Sequence, residues 1–259
     1  MNDVDQFEKD VKENIARMNA DNALRNLSLQ WLCDVSPYKY GYNFRYLGRP
    51  IIQLPQDMIA MQEIIWQTRP DLIIETGIAH GGSLIMSAAL LSILDYCDAV
   101  TAGAVLDPKS SKRRVLGVDI DIRAHNLKAI EAHPMACKID MIQGSSIAPE
   151  IIADVHNRAR KYERILVCLD SNHTHKHVLA ELEAYAPLVT VGSYCCVFDT
   201  LVEDMPAGMF PDRPWGPGNN PKTAVRDFLK TNDRFIVDKD IENKLLMTVA
   251  PDGYLKCIK

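Results

Sequence analysis

The segment "LDSNHTHKHV", Leu169 to Val178, sets three histidines on alternate positions behind an aspartate. Several chemistries fit such a cluster. As neutral imidazoles, His173, His175 and His177 suit zinc or iron. Asp170 and His173, three residues apart, can serve as a carboxylate and a base that a tight turn brings to one substrate. The stretch also reads as the polar start of a helix, whose surface accommodates three histidines that could converge on one ion only with help from elsewhere. With that helix starting near Thr174, His177 lies one turn beyond His173, placed to orient it or to bind a substrate oxygen.

The second chemically suggestive stretch is "ETGIAHGGS", Glu75 to Ser83. Gly77, Gly81 and Gly82 let the backbone turn tightly and approach a ligand, with His80 and Ser83 on the same turn and a helix N-terminus behind it. The bland alternative is a strand-to-helix turn that needs glycine only for its geometry. The spacing is neither the GxGxxG of a dinucleotide site nor a P-loop, which would carry a Lys. Glu75 before the first glycine favours a ligand with positive charge and would repel a pyrophosphate. Further along, "GVDID" offers Asp119 as acceptor for both hydroxyls of a ribose, while Asp121 fits an ordinary helix cap. In "QGSS", Gly144 and Ser145 either face an adenine or simply cap the next helix.

Regularly spaced elements must position these groups. From Pro70 onward, apolar runs at 71–76, 114–120, 138–144, 164–170 and 192–199 alternate with helical candidates at 82–94, 123–132, 147–161 and 176–186. Strands and helices alternating at this spacing predict a parallel sheet covered on both faces, with ligands at the carboxyl ends of the strands. In the tail "RFIVDKDIENKLLMTVAPDGYLKC", two β-rich runs joined by a short polar link predict an antiparallel hairpin at the end of the sheet. The opening 60 residues show no clear strand signal and read as helical. The expected division is residues 1–65 as an N-terminal helical cap and oligomerisation segment, and residues 66–259 as one α/β domain.

Composition narrows the partners. The 259 residues carry a net charge of −5 with acidic and basic residues mixed along the chain, so no electrostatic footprint for nucleic acid or an anionic membrane stands out. No apolar run reaches the roughly 18 residues of a membrane span, and the acidic, polar start "MNDVDQFEKDVKEN" is unlike a secretory signal. A cytoplasmic protein with a small-molecule substrate is expected. The seven Cys are scattered without a CxxC pair, as reduced core residues are.

The glycine turn followed by "GVDI" resembles class I S-adenosylmethionine-dependent methyltransferases. From about Trp31 to Lys259, "RPDLIIETGIAHGGS", "GVDIDI", "IQGSS", "LDSNHTHKHVLAELEAYAPLV" and "GPGNNPKTAVRDFL" resemble the cephalosporin hydroxylase/rhamnosyl O-methyltransferase family. The resemblance implies an α/β, Rossmann-like class I methyltransferase fold with a mostly parallel seven-stranded sheet, its final strand reversed, and helices on both faces. It also implies S-adenosylmethionine as cofactor at Glu75, Gly77, His80, Gly81, Ser83, Asp119, Gly144, Ser145 and Asp170, a divalent cation such as Mg²⁺, a sugar-containing acceptor, and a homo-oligomer.

Relatives with an Asp-x-x-His at this strand end use it as metal ligand and general base, which implies those roles for Asp170 and His173. The chemistry is coherent. A sulfonium is an activated leaving group, so the obstacle is the acceptor hydroxyl; Mg²⁺ lowers its pKa and a histidine titrates where it can take the proton. Magnesium wants more than one oxygen ligand, and "CVFDT" supplies Asp199. Similar proteins have Glu-Asp where this chain has Phe198-Asp199, so one ligand is missing; Glu203 and Asp204 in "LVEDMP" are the carboxylates within reach. After them runs a long Pro- and Gly-rich loop, expected to close over the acceptor. On it, Trp215 offers a flat face to a sugar, and Asn219 and Asn220 either hydrogen bond the sugar or, as Asn220-Pro221, start the following helix. Two rival readings stand beside this one. A non-haem iron hydroxylase would need two His and one carboxylate around ferrous iron, and Phe198 would suit a protein that keeps the cofactor pocket but has lost catalysis.

Overall fold

Runs of mostly apolar residues buried on both faces build the centre of the main sheet. The computed structural model describes residues 2–259. Two helices open the chain, α1 (Asp3–Ala20) and α2 (Asn22–Val35), followed by the short strands β1 (Phe44–Tyr46) and β2 (Arg49–Ile51) and helix α3 (Pro55–Thr68). Then strands and helices alternate: β3 (Leu72–Thr76), α4 (Gly82–Ala102), β4 (Arg114–Asp119), α5 (Ala124–Glu131), β5 (Ile139–Gln143), α6 (Pro149–Ala159), β6 (Ile165–Leu169), α7 (His175–Tyr185) and β7 (Tyr194–Val197). The chain closes with α8 (Pro221–Thr231), β8 (Phe235–Val237), α9 (Lys239–Leu245) and β9 (Tyr254–Cys257).

The main sheet has seven strands in the order β5-β4-β3-β6-β7-β9-β8. The strands from β5 to β7 run parallel, and β9 lies antiparallel between β7 and β8. Strand order reverses between β3 and β4 on one side and β6 on the other, so the loops after β3 and β6 open onto one crevice. Alternate residues feed the two faces. Ile73, Leu166, Cys168 and Cys196 pack with α3 and α4, whereas Leu72, Ile74, Val167, Leu169 and Cys195 pack with α6, α7 and α8.

The α/β sheet with a reversed last strand agrees with the sequence reading, and three details depart from it. Strands β8 and β9 do pair antiparallel, but no short hairpin links them: "KDIENKL" forms α9, and β9 begins only at Tyr254. Its two apolar residues, Ile241 and Leu245, stand at i and i+4 on one helical face, and that spacing outweighs the β character of the run. The opening 60 residues contain the β1-β2 pair, too short to leave a periodic signal. A boundary at residue 65 would cut α3, whose Ala60, Met61, Ile64 and Ile65 share one core with Ile73 and Leu84. Only α1, with no buried residue, and α2, burying Ser28 and Leu32, stand outside that core. Helix α4 is long and apolar enough to span a membrane, although the sequence shows no unbroken apolar run; it instead lays its inner face, including Leu84, Ile85, Leu91 and Leu94, against the sheet.

Asp57 on α3 joins the N-terminal segment to the far edge of the sheet. Its carboxylate is fully buried and accepts hydrogen bonds from Val249 N at 2.9 Å, Tyr254 Oη at 2.7 Å and the Thr248 hydroxyl. Burial still pushes its pKa up to about 6, against the pull of these donors. Asp57→Ala leaves three buried donors unpaired and is expected to cost about 3 kcal/mol, measured as a lowered urea midpoint at unchanged m-value.

Candidate active site

The turn after β3 is shaped by backbone contacts that only glycine permits. Gly77 has φ +92°, and a Cβ there would stand 2.1 Å from the carbonyl oxygen of Asp170; a Cβ on Gly82 would stand 2.2 Å from that of Pro50. The loops after β3 and β6 are therefore in direct backbone contact. Ala79, between the glycines, also takes a left-handed conformation at φ +46°, which costs an alanine about 1 kcal/mol. What holds it there is a set of hydrogen bonds. Asp119 Oδ2 accepts from Ile78 N at 2.7 Å and Ala79 N at 3.1 Å. Asn126 of α5 donates to Ala79 O at 2.9 Å, and Arg49 of β2 donates to His80 O and to Asn126 Oδ1.

Asp119 thus binds the glycine turn itself and, through Oδ1, Asp121 N at 3.0 Å. Oδ2 is thereby filled by two donors, and Oδ1 keeps one lone pair for a ribose hydroxyl. Asp119 marks one edge of the crevice and Gly144 stands next to it, donating N–H to Asp119 O at 2.8 Å, with Ser145 following. The His80 side chain sits half-buried on the turn, where only its backbone carbonyl is engaged, by Arg49.

At the other edge, Asp170, His173 and Asp199 come together, with one ligand atom from each within 4.8 Å of the others. His173 Nε2 lies 3.2 Å from Asp199 Oδ2. Asp199 reaches this position through a left-handed backbone at φ +56° that turns its side chain off the end of β7. Phe198, by contrast, is buried in the core beside Met61 and Cys168. Burial, helped by Asp199, Glu75, Glu181 and Asp57, pushes the Asp170 carboxyl well above the usual carboxylate range. Such an excess of negative charge is what a cation would relieve. Two carboxylates and an imidazole at this spacing fit a divalent ion that completes its shell with water and substrate oxygens.

The three histidines of the opening motif go to three places. His173 joins the acidic pair. His175 Nδ1 bonds the Thr223 hydroxyl at 2.8 Å, and its Nε2 lies 3.4 Å from Asp227. His177 Nε2 lies 3.0 Å from Ser146 Oγ and 3.3 Å from Ser171 Oγ, above buried Glu181. The expected role of His177, orienting His173 or binding acceptor, is not what these contacts show: its ring closes a polar cluster between the loops after β5 and β6. With the histidines dispersed, neither a three-histidine zinc site nor a facial triad of two His and one carboxylate assembles among the described residues.

The long loop lies over the site as expected. Trp215 meets His173 edge-to-face with ring centroids 5.5 Å apart, and Phe210 packs on its other side at 4.8 Å. The two asparagines are structural. Asn220 is fully buried as the cap of α8, and donates to Glu203 at 2.5 Å and to Gly216 O at 2.9 Å. Asn219 accepts from His175 N at 3.0 Å and donates to Pro214 O at 2.8 Å, pinning the loop to the start of α7. Glu203 and Asp204 are likewise committed. Glu203 binds Gly218 N, Asn220 and Arg226, which hold its carboxyl below the ordinary range despite some burial; Asp204 pairs with Lys222 at 2.6 Å. Neither replaces the ligand lost at Phe198.

Sequence reasoning missed Arg49, Asn126 and the Ser146-Ser171-Glu181 cluster. Their signals are weak, because Arg49, Asn126 and Ser146 find their partners at long sequence separation, and Ser171 meets Glu181 only through the turn into α7. Glu75, in contrast, stands where expected: it is buried at the end of β3 and accepts a hydrogen bond from Ser83. Burial pushes its pKa from 4.5 up to about 7, more than the Ser83 bond lowers it. The folded value lies above the unfolded one, so the protonated acid favours the ligand-free fold at low pH, and this contribution fades as pH rises from about 4.5 to about 7. Glu75→Gln is expected to flatten that fall and leave the ligand-free protein more stable at pH 8, by on the order of 2 kcal/mol; urea midpoints of both proteins across pH 4.5 to 8 read the difference.

Residues 38–258 match the family Rhamnosyl O-methyltransferase/CmcI. The chain is similar to the Rhamnosyl O-methyltransferase of Mycobacterium tuberculosis (strain H37Rv), 28% identical over 211 residues that cover 81% of this chain and 76% of the relative. Among solved structures, a CmcI structure described as Mg-SAM aligns with a TM-score of 0.55 at 16% identity, over 84% of this chain and 78% of that one. The O-methyltransferase from Bacillus cereus in complex with SAH aligns at 0.51 and 14% identity, over 90% and 91%. Matched across most of its length, this chain belongs to the Rhamnosyl O-methyltransferase/CmcI family and is an S-adenosylmethionine-dependent O-methyltransferase.

Proposed function

We propose that this protein methylates a hydroxyl of a sugar-containing small molecule, assisted by a divalent cation. The observation that carries the reading is the convergence of Asp170, His173 and Asp199 beneath Trp215, at the mouth of the crevice that the glycine turn and Asp119 build. S-adenosylmethionine bound in that crevice supplies an electrophilic methyl group, and Glu75, Gly77, Asp119, Gly144 and Ser145 are the residues that would hold it. Asp170 and Asp199 would hold Mg²⁺, which lowers the pKa of a coordinated acceptor hydroxyl.

His173 takes the acceptor's proton, and the Asp199 carboxylate 3.2 Å from Nε2 stabilises the imidazolium that results. The acceptor oxygen forms its bond to the methyl carbon as the carbon–sulfur bond breaks, and the electron pair stays on sulfur. Trp215 covers His173 and offers an apolar face to a sugar ring, while Phe210 and the Glu203 contacts keep the loop in place. The preference for a sugar rests on the relatives named rhamnosyl O-methyltransferase and on this aromatic cover.

Calorimetric titration of S-adenosylmethionine with and without Mg²⁺ tests the cofactor and metal assignments together. Binding weakened by Asp119→Asn supports the reading, and no binding with or without metal rejects it. With a methylated sugar acceptor in hand, His173→Ala is expected to lower kcat about 10²- to 10⁴-fold with cofactor affinity unchanged. Chelation should abolish turnover, Mg²⁺ should restore it, and Asp199→Ala should remove the restoration. Full activity in His173→Ala would exclude this histidine as the base.

A further inference from the structure

Gln53 occupies a position that its local structure does not explain. It lies between β2 and α3, in the segment "IIQLP", where it is the only polar side chain among apolar residues and a proline. It is 5% exposed, and its Oε1 is fully enclosed without a hydrogen-bond partner. A buried amide oxygen left unpaired costs about 1–3 kcal/mol, so a leucine here would give a more stable ligand-free protein. Gln53 lines a narrow space, about the size of one water molecule, together with Glu75, Ser83, Ser87, Asp170, Met86 and Phe198.

The polar groups around that space are acceptors in excess. Glu75 and Asp170 bring carboxyl groups, the Ser83 hydroxyl is spent on Glu75, Ser87 adds one hydroxyl that can accept as well as donate, and no cationic side chain lines the space. A group that satisfies this lining must donate hydrogen bonds, carry positive charge and be no larger than a water molecule. A primary ammonium meets all three conditions; a carboxylate fails the first two. S-adenosylmethionine carries one such ammonium, on its amino-acid end.

Resting on the cofactor assignment above, we infer that Gln53 accepts a hydrogen bond from the α-ammonium of the bound cofactor and orients its amino-acid end beside Glu75. This makes the segment before the main sheet part of the cofactor site: Arg49 shapes the glycine turn from outside, and Gln53, four residues on, closes it from within. It also explains why the sequence keeps a buried amide where an apolar side chain would pack.

The test compares two ligands that share the adenosine and differ at the amino-acid end, S-adenosylhomocysteine and 5′-methylthioadenosine, titrated calorimetrically into wild type and Gln53→Leu. The expected result is an affinity loss of about tenfold or more for S-adenosylhomocysteine with less than about a twofold change for methylthioadenosine, while the melting temperature of the ligand-free variant stays equal or rises. Equal losses for both ligands would mark a structural effect and overturn the inference, as would unchanged affinity for S-adenosylhomocysteine, the outcome if only a water faces Gln53. Wild type binding neither ligand would overturn the cofactor assignment and this inference with it. Gln53→Met, which keeps the chain length, carries the same comparison if the leucine variant does not fold.

Discussion

Negative charge concentrated at the carboxyl edge of the sheet is the interaction on which the rest of this structure depends. Asp57, Glu75, Asp170, Glu181 and Asp199 come from α3, β3, the loop after β6, α7 and the end of β7, and all of them bear on Asp170. In a partly desolvated setting such a cluster is tolerated only with protonation, dense hydrogen bonding or an external cation. The protein shows the first two and leaves a place for the third. Glu75 is pushed up to about 7, Asp57 is surrounded by donors, and Asp170 with Asp199 faces a crevice that fits a metal ion and a sulfonium. The same charge that weakens the ligand-free fold would favour a cationic ligand at this edge.

Precision at the site comes from elements remote from the chemistry. The glycine turn is set from three directions, by Asp119 below, Asn126 on α5 and Arg49 on β2. On the acceptor side, Glu203 gathers Gly218, Asn220 and Arg226 and holds the loop that carries Trp215. Both arrangements place strained or extended backbone where packing alone would not keep it. Ala79 and Asp199, non-glycine residues with positive φ, lie next to the two halves of the site. Strain of about 1–3 kcal/mol per residue persists only where surrounding contacts over-determine it, and here those contacts are identified.

Phe198 stands where the family resemblance implies a carboxylate, and Asp170, His173 and Asp199 nevertheless converge. Its ring packs into the core beneath Glu75 and Asp170 and makes that floor more apolar. The acidic cluster keeps two carboxylates, Asp170 and Asp199, with His173 Nε2 3.2 Å from Asp199. Glu203 and Asp204, the carboxylates nearest in sequence, hold the loop together.

The strands, their parallel order and the residues at their carboxyl ends were legible in the sequence, because a strand buried on both faces must be continuously apolar and ligands bind where such strands stop. Glu75, Asp119, Asp170 and Asp199 were found in this way. A helix start signals itself through local chemistry, so the capping role of Asn220 was visible as an alternative. What the sequence left open was direction. The alternating His173, His175 and His177 read as a base on a polar helix start, with one converging cluster as the alternative, and only the turn into α7 sent them to Asp199, Thr223 and Ser146. Arg49 and Asn126 were illegible for a related reason: their partners lie across loops whose path is fixed by packing at long sequence separation. Local pattern determined which edge of this protein would bear chemistry; the tertiary structure decided which side chains meet there, because hydrogen-bond partners are chosen by distance in space.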